Sequence, residues 1–225
     1  LLSVARGCAR STAATITESD IKNGVVVRFH DDEDRVLMPI IVEAAVAARE
    51  ALHKDLGTRL PDPVFIDLVR DQLALSAHTG LPEEAASTTG TVAVAKWGRV
   101  IMISPRAAEQ GFPWLDTLAH EMTHLVLSQA TRDRAPLWLQ EGVAKRHETR
   151  WRQTDPFDKI PSSDAVAAIG LDKGMGLKLT ELGPSIAMLP SAEQARVAFA
   201  EVASFVDFWV AEVGDEALPK LLKAL

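Results

Sequence analysis

Tyrosine is absent from this 225-residue chain, cysteine occurs once, and no apolar run is long enough to cross a bilayer. Each absence closes a possibility. Without Tyr, no phenol hydroxyl is available as a hydrogen-bond donor or acid anywhere in the chain. A lone Cys8 excludes an internal disulfide framework and any metal site closed by several thiolates. A bilayer span requires roughly 18 consecutive apolar residues, and none of the runs approaches that length. Charge of one sign is also short: 24 Lys and Arg face 31 Asp and Glu, a formal net charge of -7. Nucleic acid is therefore not an expected partner, because phosphate binding needs a concentrated basic surface.

What is present is a globular composition, 47% hydrophobic, in a chain long enough for one sizeable core or two closely joined subdomains. No internal repeat or low-complexity block interrupts it. Residues 1–19, rich in Ser, Thr and Ala, read as an N-terminal tail, and residues 20–225 as one domain. The first residue is Leu1 rather than Met. That start fits an exported or cell-envelope protein that has lost a signal segment, and equally a boundary drawn within a cytosolic one.

The order of elements follows from periodicity and breakers. Gly24 to His30 has the β-branched density of a strand, and Asp31 to Asp34 close it as a solvated acidic turn. Apolar residues then recur at helical spacing from Arg35 to Leu56 and stop at Gly57. Pro63 to Val69 is a second strand, Gln72 to Ala77 a short helix, and the stretch ending near Gly90 a loop. Two apolar runs, Thr91 to Ala95 and Val100 to Ser104, flank Lys96-Trp97-Gly98-Arg99 and form a hairpin. A helix is expected from Pro113 to Gln129, with Trp114, Leu118, Met122 and Leu125 on its buried side. A second runs to about Trp151, a loop from Thr154 to Gly183, a long helix from Ser191 to Val213, and a short one to Leu225. The first half (20–130) thus mixes strands and helices, and the second (131–225) is helical.

Chemistry concentrates in Leu118-Ala119-His120-Glu121-Met122-Thr123-His124-Leu125, which contains His-Glu-x-x-His in an apolar helical setting, the zinc-hydrolase signature. Residues four apart stack on one helical face, so His120 and His124 can present two imidazole nitrogens to a single metal ion. Glu121 sits beside them, where its carboxylate can take a proton from an activated water. The following segment, Ala135-Pro136-Leu137-Trp138-Leu139-Gln140-Glu141-Gly142-Val143-Ala144, opens another helix and offers a carboxylate at Glu141. Two His and one Glu with a fourth position open constitute a catalytic zinc set, whereas a structural site closes all four positions, usually with Cys.

His-Glu-x-x-His followed by Pro-x-Trp-Leu-x-Glu-Gly-x-Ala resembles the gluzincin branch of zinc peptidases, in particular the bacterial peptidase-MA-like domains. The resemblance extends over most of the chain, although these two segments are its only specific motifs. It implies an α+β, zincin-like fold with an N-terminal mixed sheet, the metal helix on the floor of a cleft, and a helical C-terminal lobe. It also implies Zn2+ held by His120, His124 and Glu141, Glu121 as general base, and a peptide or protein as substrate. In gluzincins the strand two elements before the metal helix is commonly the sheet edge on which substrate pairs. That makes Thr91, Val92, Ala93, Val94 and Ala95 the expected substrate-binding edge, with an ordinary paired strand as the alternative.

Other residues have weaker assignments. Glu148 shares the helical face of Glu141 and is the reserve third ligand. Asp116, one turn before His120, either orients that imidazole through its second nitrogen or is a helix N-terminal charge. His147 falls about 120° from Glu141 around the helix and is assigned to surface or packing. His30, His53 and His78 lack ligand spacing. The missing Tyr bears on mechanism, because peptide hydrolysis generates an oxyanion and gluzincins generally add a Tyr or His to stabilise it. Similar sequences often carry Tyr in the helix after the glutamate helix, and an aromatic residue shortly after Glu-Gly-x-Ala; this chain has Phe199 and Arg146 there. Either His78, His147, Arg106 or Arg146 substitutes, or the metal alone stabilises the charge with reduced turnover. Two functions therefore stand: a zinc endopeptidase, and a catalytically weak zinc-binding domain that recognises a peptide. An accidental motif in a purely structural helical domain is the third. Nothing in the sequence identifies the oligomeric state.

Overall fold

Alternation of buried and partly exposed residues decides which face of each strand meets the core. In β2 (Val25–Phe29), Val25, Val27 and Phe29 are fully buried while Val26 and Arg28 are partly exposed, the period of two that a pleated strand imposes. The computed structural model describes residues 15–108, 111–153 and 161–225, and within them the chain is mixed α+β, with a five-stranded sheet and eight α-helices. β1 (Ile16–Asp20) precedes β2, followed by α1 (Met38–Leu56), β3 (Val64–Val69), α2 (Gln72–Thr79), α3 (Glu83–Thr89), β4 (Ala93–Lys96) and β5 (Arg99–Ile103). Then come α4 (Trp114–Thr131), α5 (Leu137–His147), α6 (Ser163–Asp172), α7 (Ala192–Val213) and α8 (Ala217–Ala224).

The sheet order is β1-β2-β3-β5-β4. The central pairs β2/β3 and β3/β5 are parallel, and the outer pairs β1/β2 and β4/β5 are antiparallel. Parallel neighbours require crossovers, which α1 supplies between β2 and β3. Buried Val100 and Met102 of β5 face the core that contains α1 and α4, whereas Ile101 and Ile103 face Leu75 of α2 on the other side. The main core runs through both halves of the chain, from Val25 to Leu222, so the sheet half and the helical half are packed as one body.

Local chemistry accounts for the element ends. Gly57, with φ 66, caps α1 through an N–H bond to the His53 carbonyl. Asp71 accepts from Ala74 N–H at the start of α2, and Ser191 from Gln194 N–H at the start of α7. The β4–β5 hairpin turns on Trp97 and Gly98, both at positive φ (52 and 74), as a two-residue type I′ connection requires.

Several expectations need correction. Ile16 to Ser19 lie in a strand rather than a tail, since β1 pairs with β2 along its whole length; residues 1–14 of the expected tail lie outside the described residues. The acidic turn after β2 is a 3-10 helix, Asp32–Leu37, capped by Asp31, and its Asp34 is buried against Arg106 rather than solvated. The stretch before Gly90 contains α3, whose Ala86 is fully buried. The expected loop from 154 to 183 contains α6, capped by Ser162, while 154–160 lie outside the described residues. α5 stops at His147, short of Trp151. These misses share a cause: short elements made from polar and small residues acquire their order from contacts distant in sequence, which periodicity does not register. No helix among the described residues is long and apolar enough to cross a membrane.

Candidate metal centre

Two helices converge to build the site. Leu118, Met122 and Leu125 of α4 are buried in the core, which turns His120, Glu121 and His124 toward a cleft between the sheet edge and the helical half. Pro136 starts α5, and Gln140 closes the preceding turn by donating to the Ala135 carbonyl (2.7 Å). Gly142 lets α7 approach closely: a Cβ there would lie 2.6 Å from both the Val202 carbonyl oxygen and Val206 Cγ2. The Gly after Glu141 therefore positions α5, and with it the Glu141 carboxylate, over the two imidazoles.

The three donor atoms form a small triangle. His120 Nε2 and His124 Nε2 are 3.3 Å apart, and Glu141 Oε2 lies 3.5 Å from the first and 3.4 Å from the second. A tetrahedral ion at about 2.0–2.1 Å from its ligands places those ligands about 3.3–3.4 Å apart, so the edges fit one small cation with a vertex left open toward the cleft. Among the described residues, this is the group of His, Cys, Asp and Glu side chains that could hold a metal ion. The side chains are only 12–15% exposed.

The electrostatics also call for a cation. Burial alone would push His120 down, but hydrogen bonding to Glu141 and Glu148 and the charges of Glu121 and Glu141 lift it to about 10. Burial would push Glu141 up, yet His124 and His120 hold its carboxyl well below the usual range. Glu148 is likewise brought down to about 2 against its burial, by His120 and Lys145. Three acidic side chains thus surround two imidazoles, a charge arrangement that a cation between them would also satisfy.

Glu121 is 8% exposed, and its Oε2 accepts from Ala95 N–H (2.6 Å). This bond ties α4 to β4. In the β4–β5 register, Val94 pairs with Ile101 and Lys96 with Arg99, while Ile103 N–H donates to the Val92 carbonyl. Backbone groups of Val92, Val94 and Lys96 therefore face β5, and those of Ala93 and Ala95 face outward. β4 ends the sheet order, and its outward side lines the cleft. Thr91 is already engaged, its N–H on the Ala86 carbonyl and its carbonyl on Gln72 Nε2. The outward strip thus comprises Ala93 and the Ala95 carbonyl, with the Ala95 N–H held by Glu121. The cleft, about 750 Å3, is bounded elsewhere by Gly80 to Pro82, Phe112, Leu137, Met188 and Phe199. One end is bridged where Thr89 Oγ1 donates to the Ala187 carbonyl (3.0 Å).

Of the secondary candidates, Asp116 stands in the first turn of α4, as the reading of a helix N-terminal charge expects. It is buried, but its carboxylate accepts from Trp151 Nε1 and from Nε and Nη2 of Arg152 (2.7–2.9 Å), anchoring the chain after α5 rather than orienting His120. The physical reason is competition: Trp151 and Arg152 engage both carboxylate oxygens of Asp116. Glu148 occupies the orienting position instead, with Oε2 3.6 Å from His120 Nδ1. Its signal in the sequence was present, seven residues after Glu141 on the same helical face. His147 is buried and packed, its Nδ1 on the Val143 carbonyl and its Nε2 toward Asp55. None of His78, His147, Arg106 and Arg146 lines the cleft. Arg106 pairs with Glu33 and Asp34, Arg146 with Asp207, and His78 packs against His30. Lys145, which sequence reasoning passed over, does line it.

A scan against family models finds no match for this chain, and a search of curated proteins finds none either.

Proposed function

We propose that this chain is a zinc-dependent peptidase of the gluzincin type with a zincin-like fold, acting within a peptide chain. The observation that carries the reading is the His120–His124–Glu141 triangle with Glu121 at its side, in a cleft walled by a sheet edge. Two imidazoles and one carboxylate with an open vertex are the donor set of catalytic rather than structural zinc. Zinc held by His120, His124 and Glu141 would supply Lewis acidity, to lower the pKa of a water and polarise the scissile carbonyl.

The chain's own residues do the rest. Glu121, already within 2.6 Å of an edge amide, takes the proton from the attacking water and later passes it to the leaving amine. Glu148 keeps the His120 ring turned so that Nε2 faces Glu141. The outward groups of Ala93 and the Ala95 carbonyl hold an extended substrate backbone by strand addition, which recognises peptide irrespective of side chains.

The test is turnover of an unbiased peptide library by the purified chain, abolished by a chelator and restored by zinc. Zinc bound at one per chain without cleavage supports the second reading, a zinc-binding domain that captures peptides in the same cleft. That reading is motivated by the absence of Tyr and by the distance of all four expected substitutes from the cleft. A chain that holds no zinc rules out both.

A further inference from the structure

The cleft contains positive charge at two side chains among the described residues, Lys96 and Lys145. Lys96 lies at the hairpin end of β4, donating to the Thr79 carbonyl (2.5 Å) with its ammonium over the Trp97 ring. Lys145 is one turn after Glu141 on α5, so its stem leaves the helix on the metal-facing side. Its ammonium donates to Glu148 Oε2 (2.5 Å) and sits 6.0 Å from the centre of the Phe199 ring. That ring in turn packs edge-on to His120, with centroids 6.0 Å apart. Glu121 and the β4 edge form one wall of the site. Lys145 and Phe199, from α5 and α7, line the same cleft.

This arrangement rests on the peptidase reading and adds a residue to it. We propose that Lys145 is the catalytic residue that stabilises the oxyanion formed during peptide hydrolysis, in the role that a Tyr hydroxyl would otherwise fill. Water oxygen adds to the carbonyl carbon, its proton goes to Glu121, and the carbonyl π pair moves onto oxygen. Collapse re-forms the carbonyl, breaks the C–N bond and sends the proton from Glu121 to the amine. Lys145 transfers no proton. It donates hydrogen bonds to the oxyanion.

The chemistry suits an ammonium. It carries three donors on a flexible four-carbon stem, so one can stay on Glu148 while the others turn into the cleft. Glu148 then serves two groups at once, the His120 ring and the Lys145 ammonium. Phe199 provides an apolar surface beside the ammonium that lowers the local dielectric and strengthens charge–charge attraction.

The experiment compares the zinc-loaded parent chain with Lys145→Met, measuring kcat, KM, zinc per chain and affinity for a phosphinic peptide, whose tetrahedral anion mimics the intermediate. Loss of one oxyanion donor is expected to lower kcat by about 10²–10³-fold. KM and zinc content stay close to the parent's, and phosphinic-peptide affinity falls in parallel with kcat, since the interaction exists only with the tetrahedral anion. Phe199→Tyr in the Lys145→Met background is expected to recover part of the lost kcat. The proposal is overturned by unchanged kcat and phosphinic affinity. It is equally overturned by a loss confined to KM, which would make Lys145 a ground-state contact, or by zinc lost together with activity, which would make it a support for Glu148. If the parent itself neither cleaves peptides nor binds the phosphinic peptide, the peptidase reading fails and takes this role with it. An active parent with an indifferent Lys145→Met variant fails Lys145 alone.

Discussion

Two histidine pairs in this protein have nearly the same geometry and opposite surroundings. His120 and His124 meet edge-on with ring centroids 5.0 Å apart, and His30 and His78 do so at 4.9 Å. Around the first pair stand Glu121, Glu141 and Glu148, and His120 is lifted to about 10. Around the second the charged neighbours are Asp67, Arg28 and Arg70, and His30 is pushed down, first by burial and then by His78. Ring proximity is therefore no mark of a metal centre. What sets the first pair apart is that Glu141 Oε2 lies near both Nε2 atoms, a group that could hold a metal ion.

The sharpest way to break this comparison is to delete each pair. His120→Ala with His124→Ala is expected to abolish stoichiometric zinc, while His30→Ala with His78→Ala leaves it at one per chain, as read by metal analysis after dialysis. Zinc retained by the first variant would sink the assignment. Removing zinc from the parent should also lower the melting temperature, since an ion that binds only the folded chain stabilises it by mass action.

Within the first pair's surroundings, the three glutamates are expected to separate by role. Glu121→Gln should keep zinc and fold while losing turnover by roughly 10²–10⁴-fold, because an amide is nearly isosteric but cannot accept the proton. Glu141→Gln replaces an anionic ligand by a neutral one, so titration should show weaker zinc binding. Glu148→Gln acts through the imidazole and should weaken zinc by about 10–100-fold, the usual range for a group that orients a ligand. If Glu148→Gln instead removes zinc while Glu141→Gln leaves it bound, the two carboxylates have exchanged places.

The smallest effect belongs to the second pair. His30 has a folded pKa below the ordinary 6.5, so the unfolded chain takes up its proton first as pH falls. The stability this group contributes is present above pH 6.5 and is lost as pH drops below it. A His30→Phe variant should therefore show a shallower fall in stability between pH 6.5 and 5 in urea titrations. An unchanged slope would place that pH dependence elsewhere.

Mutating the cleft wall extends the same contrast. Ala95→Pro removes the N–H that Glu121 holds and should cost activity more than stability, since an edge strand tolerates Pro where the N–H faces outward. Equal turnover by this variant, measured on the library peptides, would show that the Ala95 amide has no part in positioning Glu121.

How much of this was legible beforehand varied with the range of the interaction. His120, Glu121 and His124 were readable because their relationship is set within one helical turn, and Gly57 and the Trp97-Gly98 turn were readable because backbone conformation is a local property. α3 and β1 were not, since Ala86 and the short strand at 16–20 owe their order to partners distant in sequence. The same limit left Asp116 open between two readings, because its partners, Trp151 and Arg152, lie 35 and 36 residues away.

The sequence by itself determined which helix carries the two imidazoles, that Glu121 stands beside them, and that no Tyr is available to the cleft, for these follow from residue identity and a 100° step. Tertiary structure alone decided which carboxylate faces which nitrogen, that β4 ends the sheet, and that Lys145 and Phe199 meet in the cleft that holds Glu121. The reason is packing. Gly142 sets how closely α7 approaches α5, and that distance, which no local pattern encodes, brings α4, α5 and α7 together around one site.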